Sequence, residues 1–121
     1  MKMIGNCLCK KIEINLSKEC DCVTACYCKM CRTWTDGALF SLEQAYLEND
    51  AELKGKDWLQ EYESSDIAKR GFCKNCGTTL YYKLNSGECF FNAGLFDDSD
   101  FTLVKEYDAH QKPAYLTNKM K

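Results

Sequence analysis

The chain has 121 residues, a formal net charge of −2 and a pI of about 5.4. Its lysines are scattered and form no basic block, so we expect no nucleic-acid partner. No apolar run approaches the ~20 residues that span a membrane, and the N-terminus lacks the apolar segment of a secretory signal. We therefore expect a cytoplasmic protein without a membrane partner, folded as one domain over residues 1–121.

Short runs of alternating polar and apolar residues predict a mainly β chain. Strands are predicted, in chain order, over residues 11–16, 23–27, 38–42, 58–62, 67–72, 78–84, 88–93 and 102–107. The two aromatic runs around Asn85-Ser86-Gly87 form the strongest hairpin pattern. Helix signals are fewer. Residues 29–33 predict a single turn, and residues 41–48 are an alternative short helix that conflicts with the third strand.

Ten of the residues are cysteine. In a chain without an export signal, this number favours metal binding or thiol chemistry over disulfides. Zn–S bonds are about 2.3 Å long, so neighbouring sulfurs in a tetrahedral site lie about 3.8 Å apart, a distance that C-x-C and C-x-x-C pairs reach. One pair of each kind predicts a closed structural zinc site, formed by Cys7, Cys9, Cys73 and Cys76.

A second group, Cys26, Cys28 and Cys31, offers three thiolates within six residues. Three protein ligands and one open position are typical of a catalytic zinc ion, and a bound thiol or water would be deprotonated there near neutral pH. Cys20 or Cys22 is an alternative fourth ligand that would close this site and make it structural. Otherwise these two residues and Cys89 are free thiols, or the cysteines of a redox sensor.

The order of these motifs resembles the glutathione-dependent formaldehyde-activating enzyme family, also described as the centromere protein V-type or Gfa-like domain. The matching stretches are GNCLC (5–9), CYCKMCRTWTDG (26–37), YESS (62–65), KRGFCKNCGT (69–78), AGLFDD (93–98) and KPAY (112–115). Each motif is weak by itself, but their order and spacing over nearly the whole chain are specific.

The resemblance implies a mainly β fold of small antiparallel sheets, a β-tent of the Mss-four-like type, stapled by zinc and with one or two short helices at most. It implies one structural Zn²⁺ and a second that is catalytic or labile. The implied reaction joins glutathione, or another small thiol, to formaldehyde or a related aldehyde, or splits the adduct again, as a carbon–sulfur lyase. Arg32 is a candidate contact for a substrate carboxylate, and Asp97 and Asp98 are candidates for orienting a proton or an amine.

Two positions depart from the family pattern. Tyr27 stands where the family usually has His, and Lys10 stands where it usually has Gly. Neither change removes a metal ligand, although Tyr27 is expected to alter how a thiol or a proton is handled. Because a family fixes fold more firmly than activity, the alternative function is a non-catalytic zinc module that binds a protein partner.

Overall fold

The computed structural model describes residues 3–121 and is mainly β. Within these residues two short α-helices and ten strands occur. They are β1 (Met3–Asn6), β2 (Glu13–Leu16), β3 (Cys22–Cys26), α1 (Lys29–Thr35), β4 (Leu39–Leu42), β5 (Ala51–Lys54), β6 (Leu59–Glu63), β7 (Ala68–Cys73), β8 (Thr79–Leu84), β9 (Cys89–Phe91), β10 (Thr102–Tyr107) and α2 (Ala114–Thr117). Neither helix is long and apolar enough to cross a membrane.

The ten strands of residues 3–121 form three small sheets. Their strand orders are β1-β2-β5, β10-β3-β4 and β6-β7-β8-β9. The first and third sheets are antiparallel throughout, as expected, but β10 runs parallel to β3. A parallel pair requires a crossover connection, and here the chain builds the whole third sheet before it returns to the edge of β3. A distant pairing of this kind leaves no local pattern in the sequence.

The predicted strands are confirmed: β10 has the predicted bounds, and the bounds of the other seven shift by one or two residues. The alternative helix over residues 41–48 is wrong, because β4 continues to Leu42 and residues 43–47 form a bend and an isolated β-bridge. The backbone of Tyr46 exchanges two hydrogen bonds with that of Cys89, of 2.9 and 3.0 Å. The predicted turn after residue 28 is helix α1, which is seven residues long. The predictions missed the short strands β1 and β5.

The hydrophobic core lies where the sheets meet. Ile14 and Leu16 of β2, Leu80 of β8 and Tyr46 are fully buried. The Tyr46 ring packs edge-on against Phe91, with the ring centroids 5.9 Å apart. Burial of such side chains stabilises the fold by about 1.5–3 kcal/mol each. The core therefore provides a rigid base for the loops and strand ends that carry the cysteines.

Candidate metal centres and the adjoining cavity

The first cysteine cluster joins the N-terminal strand to the third sheet. Cys7 and Cys9 follow β1, while Cys73 ends β7 and Cys76 lies in the turn before β8. The four sulfurs all lie within 4.8 Å of one another. The Cys7–Cys9 and Cys9–Cys73 sulfur distances are 3.6 and 3.8 Å. These distances match the edge of about 3.8 Å expected for a tetrahedral zinc–thiolate site, so this donor set fits Zn²⁺.

Two tight backbone turns hold this cluster together. The Ile12 N–H points at the Cys7 sulfur at 3.4 Å, and the Gly77 N–H donates to the Cys73 carbonyl at 2.7 Å. Both turns need a left-handed residue, Gly77 in one (φ 80°) and Lys10 in the other (φ 66°). Glycine adopts this conformation freely, whereas a residue with a Cβ does so at a cost. The departure from the family pattern at Lys10 therefore introduces local strain and leaves the ligands in place.

The surroundings of these thiols affect their ionisation in different ways. Burial raises the pKa of Cys7 to about 11. Burial also opposes ionisation of Cys76, but hydrogen bonds from the Thr78 side chain and from the Thr78 and Cys9 backbones lower its pKa to about 5. The lowered pKa favours the thiolate form of Cys76, which is the form that binds a metal cation.

The second cluster lies at the junction of β3 and α1. Cys26 ends the strand, Cys28 caps the helix and Cys31 lies in its first turn, where it is 4% exposed. The three sulfurs lie within 4.8 Å of one another. The Cys31 N–H donates to the Cys28 sulfur at 3.3 Å, as a helix N-cap contact does. Three convergent thiols of this kind also fit Zn²⁺ and leave one tetrahedral position for another ligand.

Neither Cys20 nor Cys22 reaches this cluster, so the alternative that one of them completes it is wrong. Cys22 begins β3 and Cys26 ends it, and at about 3.3 Å per residue their Cα atoms lie about 13 Å apart. The Cys20 sulfur donates instead to the Cys22 carbonyl at 3.4 Å. Cys89 is a buried thiol whose burial raises its pKa to about 12, which disfavours the reactive thiolate.

A cavity of about 530 Å³ adjoins the three-cysteine cluster. All three sulfur-bearing residues line it, together with apolar side chains that include Met30 and Phe90. Glu43 and Asp108 contribute its two carboxylates, and Arg70 is the one cation among the described residues that line it. This volume is within the usual range for a site that binds a small molecule.

Arg70 is a functional candidate that sequence reasoning left without a role. It is 2% exposed, and its Nη2 donates to the Cys31 sulfur at 3.5 Å. The guanidinium carbon lies 5.0 Å from the centre of the Tyr82 ring and 6.0 Å from that of Trp34. Within residues 3–121 its Nε and Nη1 have no hydrogen-bond partner. A buried cation that contacts one of three thiols would compensate the negative charge of thiolates at this cluster.

Arg32 does not line the cavity. Its Nε donates to the carbonyl of Tyr27 at 2.9 Å, which fixes the side chain along the start of α1. Its role as a substrate contact stays a prediction. Asp97 accepts bonds from the backbone and the hydroxyl of Ser99, at 3.3 and 2.9 Å, and thus caps its own turn. Trp34 lies outside the cavity wall and stacks on Tyr62 with the ring centroids 5.9 Å apart.

Tyr27, the second departure from the family pattern, does not line the cavity either. Its hydroxyl donates to Glu106 at 2.8 Å, and Glu106 also pairs with Lys112 at 2.9 Å. The Lys112 ammonium lies 5.0 Å from the centre of the Tyr27 ring. Tyr27, directly after β3, therefore contacts β10 through Glu106 and the segment after β10 through Lys112, and its hydroxyl is engaged away from the cysteines.

The fold and the two clusters define a class: a mainly β protein with a four-thiol site, a three-thiol site and a cavity beside the second. The chain matches the family described as "Glutathione-dependent formaldehyde-activating enzyme" over residues 2–112 and belongs to that family.

The chain is similar to proteins from a yeast and a bacterium. It is 42% identical over 96 residues to a Schizosaccharomyces pombe protein named as an uncharacterized lyase, which covers 76% of this chain. The chain spans 66% of the length of that relative. The crystal structure of a Rhodobacter sphaeroides protein has the same fold, with a TM-score of 0.63 and 22% identity over 84% of this chain and 100% of the other.

Proposed function

We propose that the protein binds one Zn²⁺ at each cysteine cluster and catalyses the addition of a small-molecule thiol to an aldehyde, or the reverse cleavage. Glutathione and formaldehyde are the proposed substrates, as the name of the matching family suggests. The observation that carries the proposal is the cavity of about 530 Å³, whose wall contains the three sulfurs of the incomplete cluster. A purely structural site would have no need of such an opening.

The two clusters are assigned different roles because their donor sets differ. Four sulfurs saturate a tetrahedral ion, so the site of Cys7, Cys9, Cys73 and Cys76 is proposed to be structural. Three sulfurs leave one position free, so the site of Cys26, Cys28 and Cys31 is proposed to be catalytic. None of the ten cysteines, all of which lie within residues 3–121, forms a disulfide, which supports our placing the protein in a reducing compartment such as the cytoplasm.

The reaction needs little rearrangement of atoms. The thiol sulfur forms a bond to the aldehyde carbon, the carbonyl π bond breaks, and the thiol proton ends on the former carbonyl oxygen. Zinc, when bound, would lower the pKa of a thiol at its free coordination position. The thiol would then be available as a thiolate nucleophile at neutral pH.

The residues around the cluster contribute charge and exclusion of water. Arg70, in contact with Cys31 at 3.5 Å, offsets the negative charge of the thiolates. Apolar lining from Met30, Leu39 and Phe90 excludes water around the reacting groups, which strengthens these electrostatic interactions.

The test is to replace Cys28 by Ser and to measure both zinc per chain and the rate of adduct formation from glutathione and formaldehyde. Cys22→Ser is the matched control, because it removes a thiol from the start of β3, the end of that strand away from the cluster. We expect two zinc ions per wild-type chain and about one in Cys28→Ser, together with loss of the rate acceleration over the uncatalysed reaction. The control is expected to match the wild type in both measurements.

Full acceleration in a Cys28→Ser protein that has lost one zinc ion would contradict the mechanism. Two tightly held zinc ions without any acceleration in the wild type would instead favour the non-catalytic zinc module.

A further inference from the structure

Asp108 lies at the edge of the three-cysteine cluster, and no motif of the sequence drew attention to it. Its Oδ2 accepts a hydrogen bond from the Cys26 sulfur at 3.7 Å, and the residue lines the same cavity as the three cysteines. Within residues 3–121 its carboxylate pairs with no lysine or arginine, and although Asp108 begins a 3-10 turn, its side chain makes no capping hydrogen bond there. The thiol is thus the group against which the structure places this carboxylate.

The backbone holds Asp108 firmly in this position. The preceding residue, Tyr107, pairs with Cys26 in the parallel strand register, and its carbonyl accepts from the Tyr27 N–H at 3.1 Å. On the other side, the Gln111 N–H donates to the Asp108 carbonyl at 2.8 Å, and the Gln111 side chain accepts from the Lys29 N–H at 3.1 Å. Asp108 is therefore attached to the end of β3 and to the start of α1, the two elements that carry the cluster.

The geometry points to Asp108 as a fourth, displaceable ligand of the metal at the three-cysteine cluster. Given Zn–S and Zn–O bonds of about 2.3 and 2.0–2.2 Å, a sulfur and an oxygen on one tetrahedral ion lie about 3.5–3.7 Å apart. The observed separation of 3.7 Å between Asp108 and Cys26 agrees with this value. The three sulfurs lie within 4.8 Å of one another, but the carboxylate is not within that distance of all three. Coordination by Asp108 therefore requires a rotation of its side chain toward the other two sulfurs.

Charge explains why such a ligand is displaceable. Zn²⁺ with three thiolates carries a charge of −1, and a carboxylate in the fourth position makes it −2. A substrate thiolate that replaces the carboxylate leaves this charge unchanged, and the buried Arg70 compensates part of it in either state. Asp108 itself is exposed, so its side chain has room to leave when a thiol enters the cavity. The inference rests on the proposed function, since it requires zinc at this cluster.

The experiment compares the full-length wild type with Asp108→Asn and Asp108→Gly. Both replacements tolerate the left-handed backbone at this position (φ 54°), so neither is expected to disturb the turn. Asp100→Asn is the matched control, because it removes an exposed carboxylate that does not line the cavity. Zinc affinity is measured by competition with a chromophoric chelator. Thiol affinity is measured by titration of the Co²⁺-loaded proteins with 2-mercaptoethanol, followed through the sulfur-to-cobalt charge-transfer absorption.

The two affinities are expected to move in opposite directions. Loss of the carboxylate should weaken zinc binding at the second site by about 10- to 100-fold, the range seen when groups that support a metal site are removed. The same variants should bind 2-mercaptoethanol several-fold more tightly, because no protein ligand has to be displaced. Asp100→Asn should match the wild type in both measurements.

Two results overturn the inference. One is wild-type zinc affinity in both Asp108 variants, and the other is a thiol affinity that falls, as it would if Asp108 merely assisted thiol binding. Both are distinguishable from failure of the proposed function, in which the wild type itself binds one metal ion and all variants behave alike.

Discussion

Arg70 provides the sharpest test of how the second cluster holds a metal. Arg70→Met removes the buried positive charge and keeps a flexible side chain of similar length, whereas Arg70→Lys keeps the charge. The methionine also removes two buried nitrogens that have no hydrogen-bond partner in the described structure. We therefore expect the change to weaken metal binding at the three-cysteine cluster with little effect on the fold.

The size of the effect follows from the contact between Arg70 and Cys31, which is 3.5 Å long. At an effective dielectric constant of about 20, two unit charges at this distance attract by roughly 5 kcal/mol. The charge of −1 on a zinc–thiolate site is spread over the metal and three sulfurs, so Arg70 attracts only part of it at this distance. We therefore take the contribution of Arg70 to zinc binding as about 2 kcal/mol. This corresponds to a rise of about 30-fold in the dissociation constant of zinc.

The assay is a competition between the protein and a chelator of known zinc affinity, with zinc retained at the first cluster as the internal measure of folding. The dissociation constant of the second zinc ion should be about 30-fold higher in Arg70→Met than in the wild type. In Arg70→Lys it should lie close to the wild-type value. The reasoning is refuted if Arg70→Met binds the second zinc within threefold of the wild type. It is also refuted if Arg70→Lys loses as much affinity as Arg70→Met.

Two further predictions concern stability. Lys10→Gly should be more stable than Lys10→Ala by about 1 kcal/mol, because the left-handed backbone (φ 66°) strains any residue with a Cβ; urea unfolding of the zinc-loaded variants measures this, and equal stabilities would contradict it. Hydrogen bonds from Lys112 and then Tyr27 lower the pKa of Glu106, so its contribution is present above the ordinary glutamate pKa and is lost as the pH falls through the lowered value. The wild type should accordingly lose more stability between pH 6 and pH 3.5 than Glu106→Gln does, and parallel unfolding curves for the two proteins would refute this.

The two cysteine clusters could be predicted from the sequence because the cysteines of each pair or group are close together in the chain. Cys26, Cys28 and Cys31 lie within six residues, and a strand end followed by a helical turn brings their sulfurs together whatever the rest of the chain does. The first cluster required more, since Cys7 and Cys73 are far apart in the chain. Its prediction came from matching a C-x-C pair to a C-x-x-C pair, and the structure brings those pairs together.

The surroundings of the second cluster depend on contacts that no local pattern records. Arg70 reaches Cys31 from the third sheet, 39 residues along the chain, and is recognisable only once its burial is known. Asp108 stands beside Cys26 because β10 returns to pair in parallel with β3. The sequence by itself therefore determined which cysteines form the two clusters, through the spacing of the cysteine pairs. The tertiary structure alone decided that the three-thiol site borders a cavity and which charges face it, because those contacts depend on strand pairing between distant parts of the chain.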